Sequence, residues 1–247
     1  ADADRSLIFI RVVQSTAVSV KIEGWSQPGF TEMESNDAGL KLFLFGFVIA
    51  TMAYNIFVSA LLRDPVFLFN ALTIASILVF ALYLSGYGVT YFWSSWTGWS
   101  NSIFVTSIYT ATLFGSAFLW QFLRSDHENL LDGWPILIAP MLATLAVLSS
   151  VILPFWIVQL CILLSATLLL LSTLVFVCRR AWAGDSKARI LIFPLLFAVI
   201  PGLALVALQR IFGLETLRYS SNTLEITFCL EAVLFSLALV ARVRLGE

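Results

Sequence analysis

The sequence predicts an all-α membrane protein, a bundle of seven transmembrane helices. Three observations carry this reading. The 247-residue chain is 60% hydrophobic and only 12% charged, with a mean hydropathy of +0.95. Soluble domains average about 25% charged residues, so a water-soluble globule is excluded. Leu42–Leu62 then runs for 21 residues without a charge, about 31 Å as a helix at ~1.5 Å per residue, enough to cross a bilayer core. A second uncharged run begins at Pro65, after only Arg63-Asp64. Two spans so closely joined form an antiparallel hairpin, and Pro65 suits the first turn of the second helix because its missing N–H would be unbonded there.

The spans follow in order. The first is expected at 38–62 and the second at 65–87, with a loop carrying Tyr91, Phe92, Trp93, Trp96 and Trp99 after it. Such aromatics suit a membrane interface, and Tyr91, Trp93, Trp96 and Trp99 are the candidate outer mouth for a ligand. The third span is expected at 103–123, before the polar stretch RSDHENLLDG. Gly133–Cys178 is 46 residues without a charge, too long for one helix, and Leu153-Pro154 divides it into spans at 134–152 and 155–178. Arg179 to Arg189 reads as a polar loop. The sixth span, 190–211, carries Pro194 and Pro201 as kink points, and the seventh covers 222–240. Gly39, Gly46 and Ala50, spaced seven and then four apart, suit close helix contact.

Residues 7–24 do not read as a span, being short and carrying Arg11, Lys21 and Glu23. Ile8, Ile10 and Val12 alternate with other residues, as do Val18, Val20 and Ile22, which is the pattern of a strand hairpin. A lone hairpin is marginal in water, so it is expected to close a sheet whose earlier strands lie elsewhere, with 25–37 as connector. Residues 1–37 thus read as the remnant of a β-rich extracytoplasmic domain, and 38–247 as the seven-helix domain. The chain begins with Ala1 and has no apolar signal-peptide core, and is expected to be a piece cut from a longer protein.

Charge sets the orientation. The loops after spans one, three and five and the tail after span seven hold eight cations: Arg63, Arg124, Arg179, Arg180, Lys187, Arg189, Arg242 and Arg244. The opposite side holds six, half of them in the amino-terminal segment, and two of its short loops hold none. The positive-inside rule therefore places the N-terminus outside and the C-terminus in the cytoplasm.

Several chemistries are excluded. The single histidine, His127, sits in a polar loop, which removes a bis-histidine haem and an intramembrane Ser-His protease. Lys41, at the outer mouth of the first span, is the only lysine near a span, which argues against a retinal Schiff base. No Gly-rich phosphate loop and no Cys/His metal spacing is present. Cys161, Cys178 and Cys229 fall inside or at the ends of apolar runs and read as small hydrophobes. No enzyme activity, cofactor, metal or nucleic-acid partner is expected; membrane lipids are.

Glu225 and Glu231 remain. An ionisable group within a bilayer is costly and points to function. Glu231 lies about 14 Å from Asn222 at ~1.5 Å per residue, close to the midplane, at a depth where Tyr109 could hydrogen-bond it. Glu225 lies shallower, level with Gln209 and Arg210, and Glu225–Arg210 is the preferred pair. Both carboxylates are open to three readings: structural hydrogen bonding, an ion or proton relay, or a switch in helix position. Asn55 and Asn70 stand eight and six residues from Arg63-Asp64, at comparable depth, and could bond across the hairpin as packing glue.

Four stretches resemble a known family, the bacterial seven-transmembrane receptors with diverse intracellular signalling modules. AYNIFVSALLRDPVFLFNAL (53–72) resembles its Tyr-Asn, Leu-Arg-Asp hairpin, and LYLSGYGVTYFW (82–93) is similar to its Gly-x-Gly and aromatic exit from span two. LEAVLFSLALVARV (230–243) resembles its last span, closed by an Arg, although Val240-Ala241 stands where an acidic residue is common. FIRVVQS…VSVKIEGWSQPGF (9–30) resembles the end of its extracellular domain.

The resemblance implies a signal-transducing receptor core in a bacterial inner membrane, feeding an output module in cis such as a histidine kinase, as in two-component systems, or a diguanylate cyclase. An extracytoplasmic ligand is implied but not identified, and the number of copies is left open, a homodimer included. A transporter or lipid-handling seven-helix protein is the alternative.

Overall fold

A computed structural model of the protein describes residues 27–95, 100–123, 134–149, 153–197 and 217–246. Among these the regular structure is helical: α1 (Gln27–Leu62), α2 (Pro65–Leu84), a π-helical turn (Gly88–Phe92), α3 (Ser100–Leu123), α4 (Trp134–Ser149), α5 (Phe155–Trp182), α6 (186–197) and α7 (Leu217–Gly246). Five of them (α1, α2, α3, α5 and α7) hold segments long and apolar enough to cross a membrane, and α4 is apolar but shorter. The expected strand hairpin at 7–24 lies outside the described residues, as does Pro201; Pro194 sits within α6.

Helix α2 lies along α3, α4 pairs with α5, and α1 and α7 close against one another and against α2. The core has three centres. Phe67, Phe122, Leu191 and Leu239 join α2, α3, α6 and α7 toward the Arg63-Asp64 turn. Phe104, Ile108, Val158 and Ile162 join α3 to α5. Leu44, Val48, Ile74 and Ala232 join α1, α2 and α7. The outward faces are as apolar as the interior: Leu42, Phe57, Val175 and Leu237 are all exposed. A surface so uniformly apolar suits lipid and not water.

Three expectations need correction. The connector predicted over 25–37 is helical from Gln27, so the boundary at 37/38 falls inside one helix of 36 residues. At about 54 Å, α1 is longer than a bilayer core. Pro28 falls in its first turn, where no backbone bond is lost, and the Lys41–Asp37 pair, 2.9 Å apart at i,i+4, braces the following turns. The polar loop predicted from Arg179 shrinks to a turn. Helix α5 continues to Trp182 with Arg179 and Arg180 in its last turn, where cations meet the negative end of the helix dipole. Gly184 then takes a positive φ of 100°, and the Asp185 carboxylate caps α6 by accepting from Lys187 N at 2.9 Å. Finally, Gly39 and Gly46 make no close helix contact: both are exposed, and a Cβ on either would meet nothing within 4 Å. Ala50 is exposed as well, at a groove beside Val233 and Leu237 of α7.

Candidate functional site

The α1–α2 turn is built tightly. Arg63 holds the left-handed conformation (φ 54°), which suits a helix C-terminus but favours glycine. Asp64 then caps α2, its Oδ1 accepting from Val66 N at 3.0 Å, and Pro65 fills the first helical position. This turn sets the register of the two helices, so that Asn55 and Asn70 face each other. Asn70 Nδ2 donates to Asn55 Oδ1 at 3.1 Å.

A third residue joins them. Asn55 Nδ2 donates to Ser236 Oγ of α7 at 2.8 Å and to Thr51 O at 2.8 Å, and Asn70 Nδ2 lies 3.5 Å from the same Ser236 oxygen. Ser236 Oγ in turn donates to Ala232 O at 2.7 Å. Asn55, Asn70 and Ser236 are all buried, Asn55 completely. Buried amides need partners, and here each finds them on a different helix. Sequence reasoning paired the asparagines but missed Ser236, because a lone serine in an apolar helix usually bonds only its own backbone.

One helical turn and a half further on, Arg242 Nη1 lies 3.3 Å from Asp64 Oδ2, and its guanidinium stands 5.5 Å from the centre of the Phe122 ring. Asp64 therefore serves two roles, capping α2 with one oxygen and holding the end of α7 with the other. The hairpin motif and the last-helix motif thus meet in space at two levels, Asn55–Asn70–Ser236 and Asp64–Arg242. Beside them, Arg180 donates to Leu123 O at 2.8 Å and pairs with Asp185 at 2.8 Å, fastening α5 to the end of α3.

The opposite, aromatic end is organised by two glycines. Gly86 has φ +77°, a conformation that side chains disfavour, and a Cβ at Gly88 would overlap the Trp93 ring. Gly88 therefore permits the fold-back of Trp93, whose indole N–H is buried without a partner among the described residues. Tyr91 and Phe92 are exposed, and neither they nor Trp93 line the central cavity; Trp96 and Trp99 lie outside the described residues. On α1, the buried Lys41 pairs with Asp37 and lies 5.5 Å from the centre of the Tyr87 ring.

Glu225 and Glu231 both line a cavity of about 290 Å³ between the helices. The expected Tyr109–Glu231 bond is not formed: Tyr109 Oη instead lies 3.5 Å from Thr144 Oγ1 of α4, because Tyr109 faces the α3–α4 seam. Glu231 makes no hydrogen bond or ion pair among the described residues. Glu225 is 4% exposed, and both its carboxylate oxygens are buried without a hydrogen-bond partner among the described residues. Gln209 and Arg210, its expected neighbours, lie outside the described residues. Cys229 Sγ sits 3.5 Å from Leu44 O, and the three cysteines are free. No cluster of three or more His, Cys, Asp or Glu that could hold a metal occurs among the described residues.

An apolar helical bundle with five helices long enough to cross a bilayer, its last helix tied to its first hairpin by polar groups, defines a multi-pass membrane protein. Comparison with protein families agrees: residues 37–242 match the model of the family described as 7TM diverse intracellular signalling. The chain belongs to that family. No match is found among curated proteins or among solved structures.

Proposed function

We propose that this chain is the membrane core of a signal-transducing receptor of the bacterial inner membrane, relaying an extracytoplasmic stimulus through α7 to a cytoplasmic output module on the same polypeptide. In this reading the bundle has seven spans, the N-terminus is outside, and the Arg63-Asp64 turn and Arg242 face the cytoplasm. The bundle does no enzymatic chemistry of its own. One observation carries the proposal: α7 is tied to the α1–α2 hairpin through Asn55–Asn70–Ser236 and Asp64–Arg242, while its other half lines a cavity with Glu231 and with Glu225, whose buried carboxylate has no hydrogen-bond partner among the described residues.

The ties are weak enough to exchange. Interhelical side-chain bonds in membranes average about 0.6 kcal/mol and reach about 1.7, and a half-exposed ion pair contributes under about 1 kcal/mol. A ligand shifts such an equilibrium only by its differential affinity for the two states, and a few kcal/mol suffices here. The test is Glu231→Gln in the intact receptor with its output module. Signalling output should change while membrane abundance does not; unchanged output at normal abundance contradicts a switching role for Glu231.

The cavity supports a second reading, transport, because transporters hold substrates near the midplane. Substrate-dependent flux in proteoliposomes of the purified chain would favour it over the receptor.

A further inference from the structure

The cavity between α1, α2, α3, α5, α6 and α7 holds about 290 Å³, the small end of the ~300–1,000 Å³ range of ligand pockets. Its wall is dominated by rings and branched chains, Phe45, Phe80, Phe118, Phe228 and Phe235 among them. Most polar groups on the wall are already engaged. Asn70 bonds to Asn55, Thr73 Oγ1 donates to Phe69 O at 2.8 Å, and Thr112 Oγ1 donates to Ile108 O at 2.8 Å. The carboxylates are the exception. Glu225 is buried with neither oxygen hydrogen-bonded among the described residues, and Glu231 stands about 9 Å along the same helix at ~1.5 Å per residue.

Buried acceptors without donors are unfavourable, and a ligand that supplies donors removes that penalty. Lys41, on α1, has its ammonium already committed to Asp37 and the Tyr87 ring. Two carboxylates repel an anionic ligand. They form charge-assisted bonds with an ammonium, and phenyl faces attract cations as well.

We infer that this cavity binds a small hydrophobic amine, with its ammonium on Glu225 and its apolar body against the phenylalanine-lined wall. The inference names a ligand class for the proposed receptor and rests on that reading only for the consequence of binding, not for binding itself.

The test is fluorine NMR titration of the full chain in phosphatidylcholine nanodiscs, with empty nanodiscs as the partition control. The probes are 4-fluorophenethylamine and its neutral analogue 1-ethyl-4-fluorobenzene. The amine should bind saturably and at least ten-fold more tightly than the neutral analogue. Glu225→Gln should cost the amine about ten-fold and leave the neutral probe unchanged. Ala111→Leu, which narrows the cavity from the α3 wall, should weaken both probes, and it keeps the site testable if Glu225→Gln does not fold. Equal affinity of the two probes, full amine affinity in a folded Glu225→Gln protein, or no saturable binding overturns the site. Amine binding that leaves output unchanged contradicts the receptor reading and leaves the site standing; a responsive receptor that binds no amine does the reverse.

Discussion

Asn55 is completely buried, and its side chain reaches three partners: Thr51 O, Ser236 Oγ and the Asn70 amide. Removing it leaves two buried polar groups short of a partner. Asn55→Leu should therefore destabilise the bundle by about 1–2 kcal/mol, against under about 1 kcal/mol for Ser236→Ala; reversible unfolding in mixed micelles measures both. Equal effects would show that Asn55 acts through packing alone. Arg63 gives the opposite sign. Held at φ 54°, it carries a left-handed strain that glycine lacks, so Arg63→Gly should stabilise by roughly 1 kcal/mol in the same assay. At this scale the sequence was partly legible. Asn55 and Asn70 stand out because amides are rare in apolar runs and share a distance from the turn. Ser236 does not stand out, and the Tyr109–Glu231 pairing failed because depth along a helix says nothing of which face a residue takes.

Among elements, the uncharged runs coincide with the five long apolar helices and with the shorter α4, since the cost of burying charge in lipid leaves few alternatives; most of the sixth span, 190–211, lies outside the described residues. Their ends were harder to read. Helix α1 starts at Gln27 because Pro28 is harmless in a first turn, and α6 starts beside Lys187 because Asp185 caps it; both signals are local and hide in polar stretches. The α1–α2 turn offers a clean test of such a cap. Asp64 both caps α2 and meets Arg242. Asp64→Ala should thus cost about 1–2 kcal/mol, whereas Arg242→Ala should cost under about 1 kcal/mol. The reverse order in an unfolding titration would make the ion pair, and not the cap, the main contribution. At the other end of α2, Gly88→Val should lower the melting temperature by driving the Trp93 ring from its seat.

For the whole molecule, family membership was legible because three separated motifs within 53–243 keep one order along the chain, and the multi-pass apolar fold because long uncharged runs recur along it. The convergence of two of them was not. Nothing in the linear sequence says that Asp64 and Asn55 meet Arg242 and Ser236 across more than 170 residues. The proposed orientation makes its own prediction. With the native cysteines replaced, a cysteine at position 91 should react with a membrane-impermeant maleimide added outside intact cells, and one at position 63 should not; the opposite labelling inverts the topology.

In the proposed receptor, the ties between α7 and the first hairpin set the signalling state. The most direct measurement is the output of the intact receptor carrying Asn55→Leu together with Ser236→Ala, at membrane levels matched to the unmodified protein. Basal output should shift several-fold, and the response should be lost. Basal output and response both equal to those of the unmodified receptor would contradict this.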